Sequence, residues 1–346
     1  MKILPILLVL FFFLRCSENN KKFELNAEII NQIQSHHSFD SLFTYKTQIS
    51  FSENVLLSTP SGIIINSNNI IWSEYKGGIY EFDMKGKLLN KLNSIGDGPG
   101  EFNVVRSIAR DSKSNLYVFD SAKLKIIRYD STWSFLNSFV LRPGGFKKMA
   151  VDSVGNIYTL LEGSFGDKST AVIKYDKNGK ILGRWGEIPT TATMQEYLYG
   201  GGITIDNKSN IYYSYMSDHK ILKTDSNGDR IQEWENKPSY FRETNEDEAR
   251  KYRESDIINY SWKVSRVSGL FFIEPGIILQ QIYTGNPKEM ETVISYLELW
   301  DISGKKIISS LCVPNEIIYA FENKIVFLKE KPNQNSEIII YEFRFK

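Results

Sequence analysis

The sequence is poor in the residues from which most catalytic and metal sites are built. It contains three His and two Cys among 346 residues. His36 and His37 are adjacent in a polar stretch, so their side chains diverge on a strand or a helix alike. His219 follows Asp218 in a predicted loop, and we expect it to be a hydrogen-bonded surface residue. No Gly-x-Ser-x-Gly elbow, zinc motif or dinucleotide fingerprint is present, so we assign no catalytic, cofactor-binding or metal residue.

Paired cysteines and an excess of charge are lacking too. Two cysteines exclude a disulfide framework, and if Cys16 carries a lipid, Cys312 has no partner at all. We expect Cys312, in a predicted strand, to be a small buried apolar residue. Lys and Arg number 42 against 41 Asp and Glu, a net charge of +1. This balance gives no overall attraction to nucleic acid, so we expect no nucleic-acid partner.

The N-terminus has the pattern of an export signal. Lys2 precedes the apolar run Ile3–Leu14, which is too short to span a bilayer stably. Cys16, two residues after the end of this run, resembles the lipobox of bacterial lipoproteins, where the Cys is diacylated. Arg15 departs from that pattern, which normally has a small residue there, and an ordinary secretory signal or an uncleaved anchor are the alternatives. We interpret residues 1–16 as the signal and 17–42 as a polar linker with a weak helical stretch.

The remainder of the chain repeats with a period in the forties. Five apolar runs end in an Asp, at intervals of 47, 46, 49 and 76 residues: Asp83, Asp130, Asp176, Asp225 and Asp301. Four of the five open a turn that ends in Gly, as Asp accepts backbone N–H bonds and Gly supplies a positive φ. A second anchor, Asn followed by an apolar strand, precedes each run, as at Asn115 and Asn156.

Each unit reads as four strands, which is the signature of a β-propeller blade. The strands of the second unit are predicted at Val104–Asp111, Asn115–Phe119, Lys125–Tyr129 and Phe135–Val140. Six units follow from the spacing: Gly62–Asn93, Val104–Leu141, Phe146–Gly186, Gly201–Glu235, about Val264–Val313, and a last one starting near Asn315.

The last unit has only three strands, and one strand, Phe43–Phe51, is left over before the first unit. We therefore predict an all-β, six-bladed propeller over residues 43–346, made of four-stranded antiparallel blades, with the N-terminal strand completing the last blade. The long interval before Asp301 contains an insertion at about 238–261, between blades 4 and 5. It is either a solvated surface helix or a lid that contacts a partner.

The stretch Ser-Ile-Gly-Asp-Gly-Pro-Gly-Glu-Phe, which contains Gly96–Phe102, followed by Asn-Leu-Tyr-Val-Phe-Asp and Lys-Ile-Ile-Arg-Tyr-Asp, resembles the six-bladed propeller lipoproteins of Bacteroidetes-type bacteria. It is also similar to NHL repeats. The resemblance covers about Phe43–Phe345 and implies a propeller of the cell envelope or the extracellular space, with no catalytic residues to carry over. Gly96–Phe102 leads into a strand and lacks the Lys of a P-loop. We therefore interpret it as a tight crossing between blades, with Phe102 between the sheets.

Two function classes remain, binding and ion-dependent hydrolysis. A calcium-dependent lactonase-like enzyme needs oxygen ligands that converge on the propeller axis. Asp111, Asp152 and Asp206 end inner strands, but their turn contexts favour hairpin capping over a metal ring. Five tryptophans recur near strand ends, where packing between blades explains them better than sugar stacking does: Trp72, Trp133, Trp185, Trp234 and Trp300.

We favour a binding or scaffold role at the cell envelope. Four basic residues on inner strands would attract an anionic small molecule, glycan or protein: Arg106, Lys147, Lys148 and Arg266. The alternative is that these four are solvated or paired with carboxylates of neighbouring blades. A further expected partner is the membrane, through lipidation of Cys16. The expected location is then the periplasm or the cell surface, and without the lipid the protein would be secreted.

Overall fold

Strands account for nearly all of the regular structure. The computed structural model describes residues 27–35, 38–52, 55, 57–141, 146–161, 170–189, 200–249, 260, 263–285, 293–331 and 335–344. Within these ranges it has 24 strands and three short helices, α1 (Ala27–Gln34), α2 (Phe39–Leu42) and α3 (Glu246–Ala249). None of the helices in this described part has the length and apolar character needed to cross a membrane. Cys16, His36 and His37 lie outside the described residues.

The strands form six separate four-stranded antiparallel sheets, which confirms the predicted six-bladed propeller. Blade 1 consists of β2 (Pro60–Ile65), β3 (Asn69–Glu74), β4 (Ile79–Asp83) and β5 (Leu88–Leu92). Blade 2 consists of β6 (Val105–Arg110), β7 (Leu116–Asp120), β8 (Lys125–Tyr129) and β9 (Phe135–Val140). Blade 3 consists of β10 (Phe146–Val151), β11 (Ile157–Leu161), β12 (Val172–Tyr175) and β13 (Ile181–Trp185). Blades 4 and 5 consist of β14 (Gly202–Ile205), β15 (Ile211–Ser214), β16 (Ile221–Thr224) and β17 (Arg230–Trp234); and β18 (Arg266–Ile273), β19 (Ile277–Gly285), β20 (Val293–Asp301) and β21 (Lys306–Val313).

The last blade joins the two ends of the propeller chain, as predicted. It contains β22 (Ile317–Phe321), β23 (Lys324–Lys329) and β24 (Glu337–Phe343), and β1 (Phe43–Ser50) is its outer strand. β1 pairs antiparallel with β24, from Phe43 opposite Phe343 to Ser50 opposite Glu337. The inner strands β2, β6, β10, β14, β18 and β22 each contact the inner strands on both sides. The ring is therefore closed, and the edge that β24 would otherwise expose is covered.

The segment that precedes β1 packs onto the propeller. Ile33 of α1 and Leu42 of α2 are buried, and both belong to one apolar cluster with residues of blades 5 and 6. The ring of Phe39 lies 4.9 Å from that of Phe43 and 5.6 Å from that of Phe327. Part of the stretch predicted as a polar linker thus covers the outside of the last two blades, because its few apolar residues fall on one side.

A repeated turn ends the third strand of five blades. The Oδ1 atom of each Asp accepts the backbone N–H groups two and four residues later, as Asp176 does from Asn178 at 2.8 Å and from Lys180 at 2.9 Å. The same pair of bonds occurs at Asp83, Asp130, Asp225 and Asp301. The fourth residue of each turn has a positive φ, for example +89° at Gly179, and Trp133 takes this place at +68° in blade 2. The Asp and Gly pattern therefore reports a real structural unit.

Cations on the third strands connect successive blades. Each lies over a Tyr of its own blade and donates to a carbonyl in the outer turn of the next blade. The three pairs are Arg128 to Lys177 O at 3.0 Å, Lys174 to Ser226 O at 2.7 Å and Lys223 to Ile302 O at 2.7 Å. The Tyr rings beneath them lie 5.1 to 5.5 Å away: Tyr117, Tyr158 and Tyr212. These bonds fix the angle between neighbouring blades.

The structure shows where Phe102, the tryptophans and Cys312, about which the sequence made predictions, lie in the blades. Phe102 is fully buried in the cluster between blades 1 and 2, and Tyr129 Oη donates to Gly100 O at 2.6 Å, so the Gly-rich stretch is a crossing between blades. Trp72, Trp133, Trp234 and Trp300 are buried between blades, and Trp185 packs there in part. Cys312 is exposed, contrary to expectation. It lies on the outer strand β21, where Leu311 and Val313 face inward and the residue between them faces solvent.

We predict that Phe43 is essential to ring closure. Phe43→Ala removes a ring that is 1% exposed and packed against Phe39 and Phe343, and it should lower the free energy of unfolding by about 3–5 kcal/mol. Tyr45→Ala, on the same strand but 56% exposed, is the control and should cost less than about 1 kcal/mol. Urea unfolding measures both. Equal losses for the two variants would contradict a closure that depends on the buried face of β1.

Candidate functional site

The two faces of the ring differ in the length of their connections. The turns from first to second strand and from third to fourth strand have two to five residues, and they form one face, here called the tight-turn face. The connections on the opposite face, here called the long-loop face, include 93–104, 186–201 and 235–265 and reach 31 residues. Long connections over a rigid scaffold are where binding residues concentrate.

The carboxylates on the tight-turn face are fully engaged by their own hairpins. Asp152 Oδ1 accepts the backbone N–H groups of Val154 at 3.1 Å and Asn156 at 2.8 Å. Its Oδ2 accepts Asn156 Nδ2 at 2.8 Å and the Tyr158 hydroxyl at 3.2 Å. Asp111 and Asp206 make the same four bonds. These residues therefore cap hairpins, and in the described part of the chain no group of three or more His, Cys, Asp or Glu is placed to hold a metal ion.

Burial keeps the tyrosines of these hairpins protonated, so they act as donors. Burial raises the pKa of Tyr117 to about 12, and the Arg128 guanidinium opposes the rise without cancelling it. The pKa values of Tyr158 and Tyr212 are raised for the same reason, with their Asp partners adding to the effect. In each of these inner hairpins the Asn amide and the protonated Tyr hydroxyl donate hydrogen bonds to the Asp carboxylate, and this network stiffens the tight-turn face.

The axis of the ring is an open channel with a volume of about 1120 Å³, lined by the inner strands of all six blades. Five inner strands have a β-bulge one or two residues from their start, at the long-loop face. The bulged residues are Ser61, Arg106, Lys147, Ser268 and Ile318. A bulge re-aims the side chain that it contains, and bulges are common beside binding sites. We call these five residues the bulge layer.

Arg106 is the best-defined side chain of the bulge layer. It lines the cavity, and its guanidinium lies over the ring of Tyr75, 4.8 Å from the centroid. Arg106 Nη2 also donates to the Tyr75 hydroxyl at 3.4 Å. Lys148, the residue after the next bulge, is exposed and lines the same cavity. The side chain of Lys147 lies outside the described residues, and only its place in β10 is known.

Arg266 stands apart from the other sequence-predicted residues. It begins β18, and its guanidinium carbon lies 5.6 Å from the centroid of the Tyr283 ring. Arg266 is not one of the described residues that line the cavity. Burial lowers the pKa of its guanidinium, and Tyr283 and Glu316 oppose this. Of the four predicted ligand-binding residues, the structure therefore places Arg106 and Lys148 on the wall of the channel and Arg266 outside the lining.

Three residues of the mouth carried no signal in the sequence. Tyr75 lies in the turn between β3 and β4, Glu316 directly precedes β22, and Glu330 directly follows β23. Glu330 Oε1 accepts the hydroxyl of Thr59 at 2.7 Å. Both carboxylates belong to blade 6, which also contributes Lys329, 3.9 Å from Glu337 Oε2, to the lining, while Arg106 and Lys148 belong to blades 2 and 3. Among the described residues, the mouth is therefore cationic at blades 2 and 3 and carries both signs of charge at blade 6.

Blade 5 forms a wall beside this mouth. In blade 5, Ile282 occupies the position that corresponds to Asp120, the last residue of β7 in blade 2. Strand β19 continues beyond this position for three more residues, Tyr283–Gly285, all of which pair with β20. Three residues add about 10 Å of height. The insertion packs on this wall, since the Tyr240 ring stacks on Tyr296 at 4.1 Å and its hydroxyl donates to Glu298 Oε1 at 2.7 Å.

The Glu298 carboxylate is a buried anchor for the insertion. It is 0% exposed, and its Oε2 lies 2.8 Å from Lys306 Nζ and accepts Ser309 Oγ at 2.9 Å. Tyr240 has its pKa raised by burial and by this carboxylate, so its hydroxyl stays protonated. A buried charge that is paired and fully hydrogen-bonded is costly to break. The described start of the insertion is therefore held firmly against blade 5.

His219 lies beneath the insertion, and the expectation of a surface residue was wrong. It is 6% exposed, its ring lies 5.2 Å from that of Phe241, and its Nδ1 is 3.6 Å from Asp218 Oδ1. Phe241 comes from the insertion, which the sequence did not place over this loop. Burial lowers the pKa of His219, and Asp218, Glu235 and Glu243 oppose the shift without reversing it.

We predict an acid-sensitive loss of stability that depends on His219. A depressed pKa in the folded state means that the unfolded chain binds the proton more tightly. Stability is therefore complete above the ordinary His pKa of about 6.5 and falls as the pH drops from there through the folded value. His219→Gln should flatten this part of a plot of unfolding free energy against pH. His36→Gln/His37→Gln is the matched control and should leave the plot unchanged, whereas an unchanged plot in His219→Gln would contradict the assignment.

The comparisons with solved structures agree with the architecture. A protein of Bacteroides fragilis NCTC 9343, described as exported, has a TM-score of 0.65 at 15% identity, covering 89% of this chain and 97% of that one. A DUF4221 family member from Bacteroides vulgatus ATCC 8482 has a TM-score of 0.63 at 11% identity, covering 88% and 98%. A streptogramin B lyase has a TM-score of 0.50 at 10% identity, covering 86% and 98%. At these identities the likeness shows a common fold alone.

No curated protein matches the sequence. The family model described as DUF5128, 6-bladed beta-propeller, matches residues 18–227. The matched part runs from the N-terminal segment through β1 and blades 1 to 3 and ends in blade 4. The chain belongs to the DUF5128 family of six-bladed β-propellers.

Proposed function

We propose that this protein is an exported, lipid-anchored propeller that binds an anionic ligand at the channel mouth on its long-loop face. The observation that carries the proposal is the position of Arg106. It occupies a bulge at the start of an inner strand, lines the cavity and is held against Tyr75. A guanidinium that is already positioned loses less conformational freedom when it binds a carboxylate or phosphate.

The neighbouring charges favour one orientation of the ligand. Lys148 adds a second cation on the blade next to Arg106. Glu316 and Glu330, on blade 6, would repel an anion from their side of the mouth, where the cation Lys329 lies 3.9 Å from Glu337 Oε2. The anionic group is therefore expected over blades 2 and 3. Arg266 acts in this proposal as a support for Glu316 through Tyr283, with Lys147 as a further cation from the same strand as Lys148.

The hydrolase alternative has less support. A calcium site on the axis needs carboxylate oxygens that are available to the ion. Both oxygens of Asp111, Asp152 and Asp206 accept bonds from their own hairpins. A binding or scaffold role also agrees with the resemblance to propeller lipoproteins of the cell envelope. The similarity of the Gly96–Phe102 stretch to NHL repeats stays a prediction.

Export and anchoring are supported by the N-terminal pattern. The run Ile3–Leu14 and the following Cys16 fit a lipoprotein signal, with Arg15 as the departure from it. The similar fold of a protein described as exported agrees with a location in the envelope. We place the propeller in the periplasm or at the cell surface, held by a lipid on Cys16.

Ligand binding should depend on the two cations of the mouth. The probes are acetate, glucuronate and inorganic phosphate, measured by calorimetry at millimolar concentrations. Arg106→Glu and Lys148→Glu should each weaken the best-binding probe at least about tenfold, because a charge-assisted hydrogen bond becomes a repulsion. Lys85→Glu, the same charge change on the tight-turn face, is the control and should have no effect. Equal affinity in all three variants, or no binding of any probe, would contradict the proposal.

Membrane association should depend on Cys16. Cys16→Ser removes the thiol that would be acylated, so the protein should move from the membrane to the soluble fraction of fractionated cells. Cys312→Ser is the matched control, since that thiol is exposed but far from the signal in sequence, and it should stay with the membrane. Membrane association that survives the Cys16 change would instead support an uncleaved anchor.

A further inference from the structure

Directly below the bulge layer, all six inner strands place an apolar residue at the same level of the channel. In the five bulged strands this level is the second residue after the bulged one. In β14, which has no bulge, it is Ile203, which pairs with Tyr213 as Ile108 pairs with Val118. The six residues are Ile63, Ile108, Met149, Ile203, Leu270 and Ala320. We call them the apolar layer.

Every residue of the apolar layer lines the cavity, although most of its side chain packs between two blades. Ile108 belongs to the cluster of blades 1 and 2, Met149 to that of blades 2 and 3, and Ile203 to that of blades 3 and 4. Their exposed fractions are 7%, 8% and 8%. The channel therefore has an aliphatic wall that the packing of the blades itself maintains, and this wall cannot turn away from the axis.

Polarity thus changes along the channel axis. At the mouth stand Arg106 and Lys148, with Ser61 and Ser268, whose hydroxyls donate to Ser73 O and Gln281 O of their own blades, and one step below stands the apolar layer. A charged group at the level of the apolar layer would lose its water without gaining a partner there, which is strongly unfavourable. An aliphatic chain in the same place would gain from leaving water. The two levels together fit a ligand that has an anionic end and an apolar end.

The channel is long enough to take an extended chain. A six-residue inner strand such as β6 spans about 20 Å, and the cavity holds about 1120 Å³. Common small-molecule sites have about 300–1,000 Å³. Most deeper positions are apolar as well, among them Ile64, Ala150, Val151, Ile205 and Phe272. The exceptions are Thr204 and, at the end of β6, Arg110, whose Nε donates to Ser114 O at 3.0 Å.

We infer that the ligand of the channel is an anionic amphiphile, with one carboxylate or phosphate on Arg106 and Lys148 and an unbranched aliphatic chain through the apolar layer. This inference rests on the proposed function, because it uses the same mouth for the anionic group. It adds the chemical class of the ligand. Repulsion by Glu316 and Glu330 favours the head group at blades 2 and 3, and the apolar layer below the mouth receives the aliphatic tail.

The test compares carboxylates of increasing length, acetate, hexanoate and dodecanoate, below their micelle concentrations, on the full chain. Each methylene that leaves water contributes up to about fourfold in affinity, so dodecanoate should bind at least about tenfold more tightly than hexanoate. Dodecyl phosphate should bind like dodecanoate, and the uncharged dodecanol should bind at least about tenfold more weakly.

Two variants test where the aliphatic chain of the ligand lies. Met149→Gln puts an amide of similar size into the apolar layer and should weaken dodecanoate about fivefold or more while leaving acetate unchanged. Met84→Gln changes a half-buried Met on the tight-turn face and should leave both affinities unchanged. Far-ultraviolet circular dichroism and urea unfolding establish that both variants fold.

The outcomes separate this inference from the proposed function. Affinity that does not depend on chain length, with Arg106→Glu still weakening it, would overturn the amphiphile and leave the anion site standing. Dodecanol that binds as tightly as dodecanoate would overturn the anionic head group. Dodecanoate binding that neither Arg106→Glu nor Met149→Gln reduces would place it outside the channel and overturn the inference. Failure of every probe to bind would overturn both.

Discussion

The pairing of β1 with β24 is the interaction on which the rest of the structure depends. It joins residues 43–50 to residues 337–343, across nearly the whole chain, and supplies the outer strand that blade 6 would otherwise lack. Blade 6 in turn provides β22, which contacts both β2 and β18. A ring that lost this pairing would expose a long apolar edge and would leave the inner strands without a fixed spacing around the axis.

The closed ring supports two faces with different tasks. On the tight-turn face, Asp, Asn and Tyr side chains satisfy one another, and cations such as Lys174 reach the next blade. On the long-loop face, bulges turn Arg106 and its neighbours toward the channel, and Glu298 fixes the start of the insertion to blade 5. Under the proposed function, the rigid tight-turn face helps to hold the charges of the mouth in defined positions, which would favour binding.

Much of the fold could be predicted because its signals are local. Asp176 and Gly179 are close in sequence, and their turn repeats with the blades, so spacing alone predicts the sheets and the leftover strand predicts the closure. The site was harder, since a bulge leaves no mark on composition and Tyr75 reaches Arg106 only through blade packing. His219 was misjudged because Phe241, which covers it, comes from an insertion whose placement depends on Tyr240 and Glu298. Cys312 was misjudged because strand alternation decides exposure on the outermost strand.

Closure of the ring by β1 can be measured without any variant or ligand. Native-state hydrogen exchange compares the amides of β1 with those of β24 and of the inner strand β22. If β1 is an integral strand of blade 6, its paired amides exchange as slowly as those of β24, and all three strands open together in the global unfolding reaction. Amides of β1 that exchange much faster than those of β24, through a separate local opening, would contradict this account of the fold.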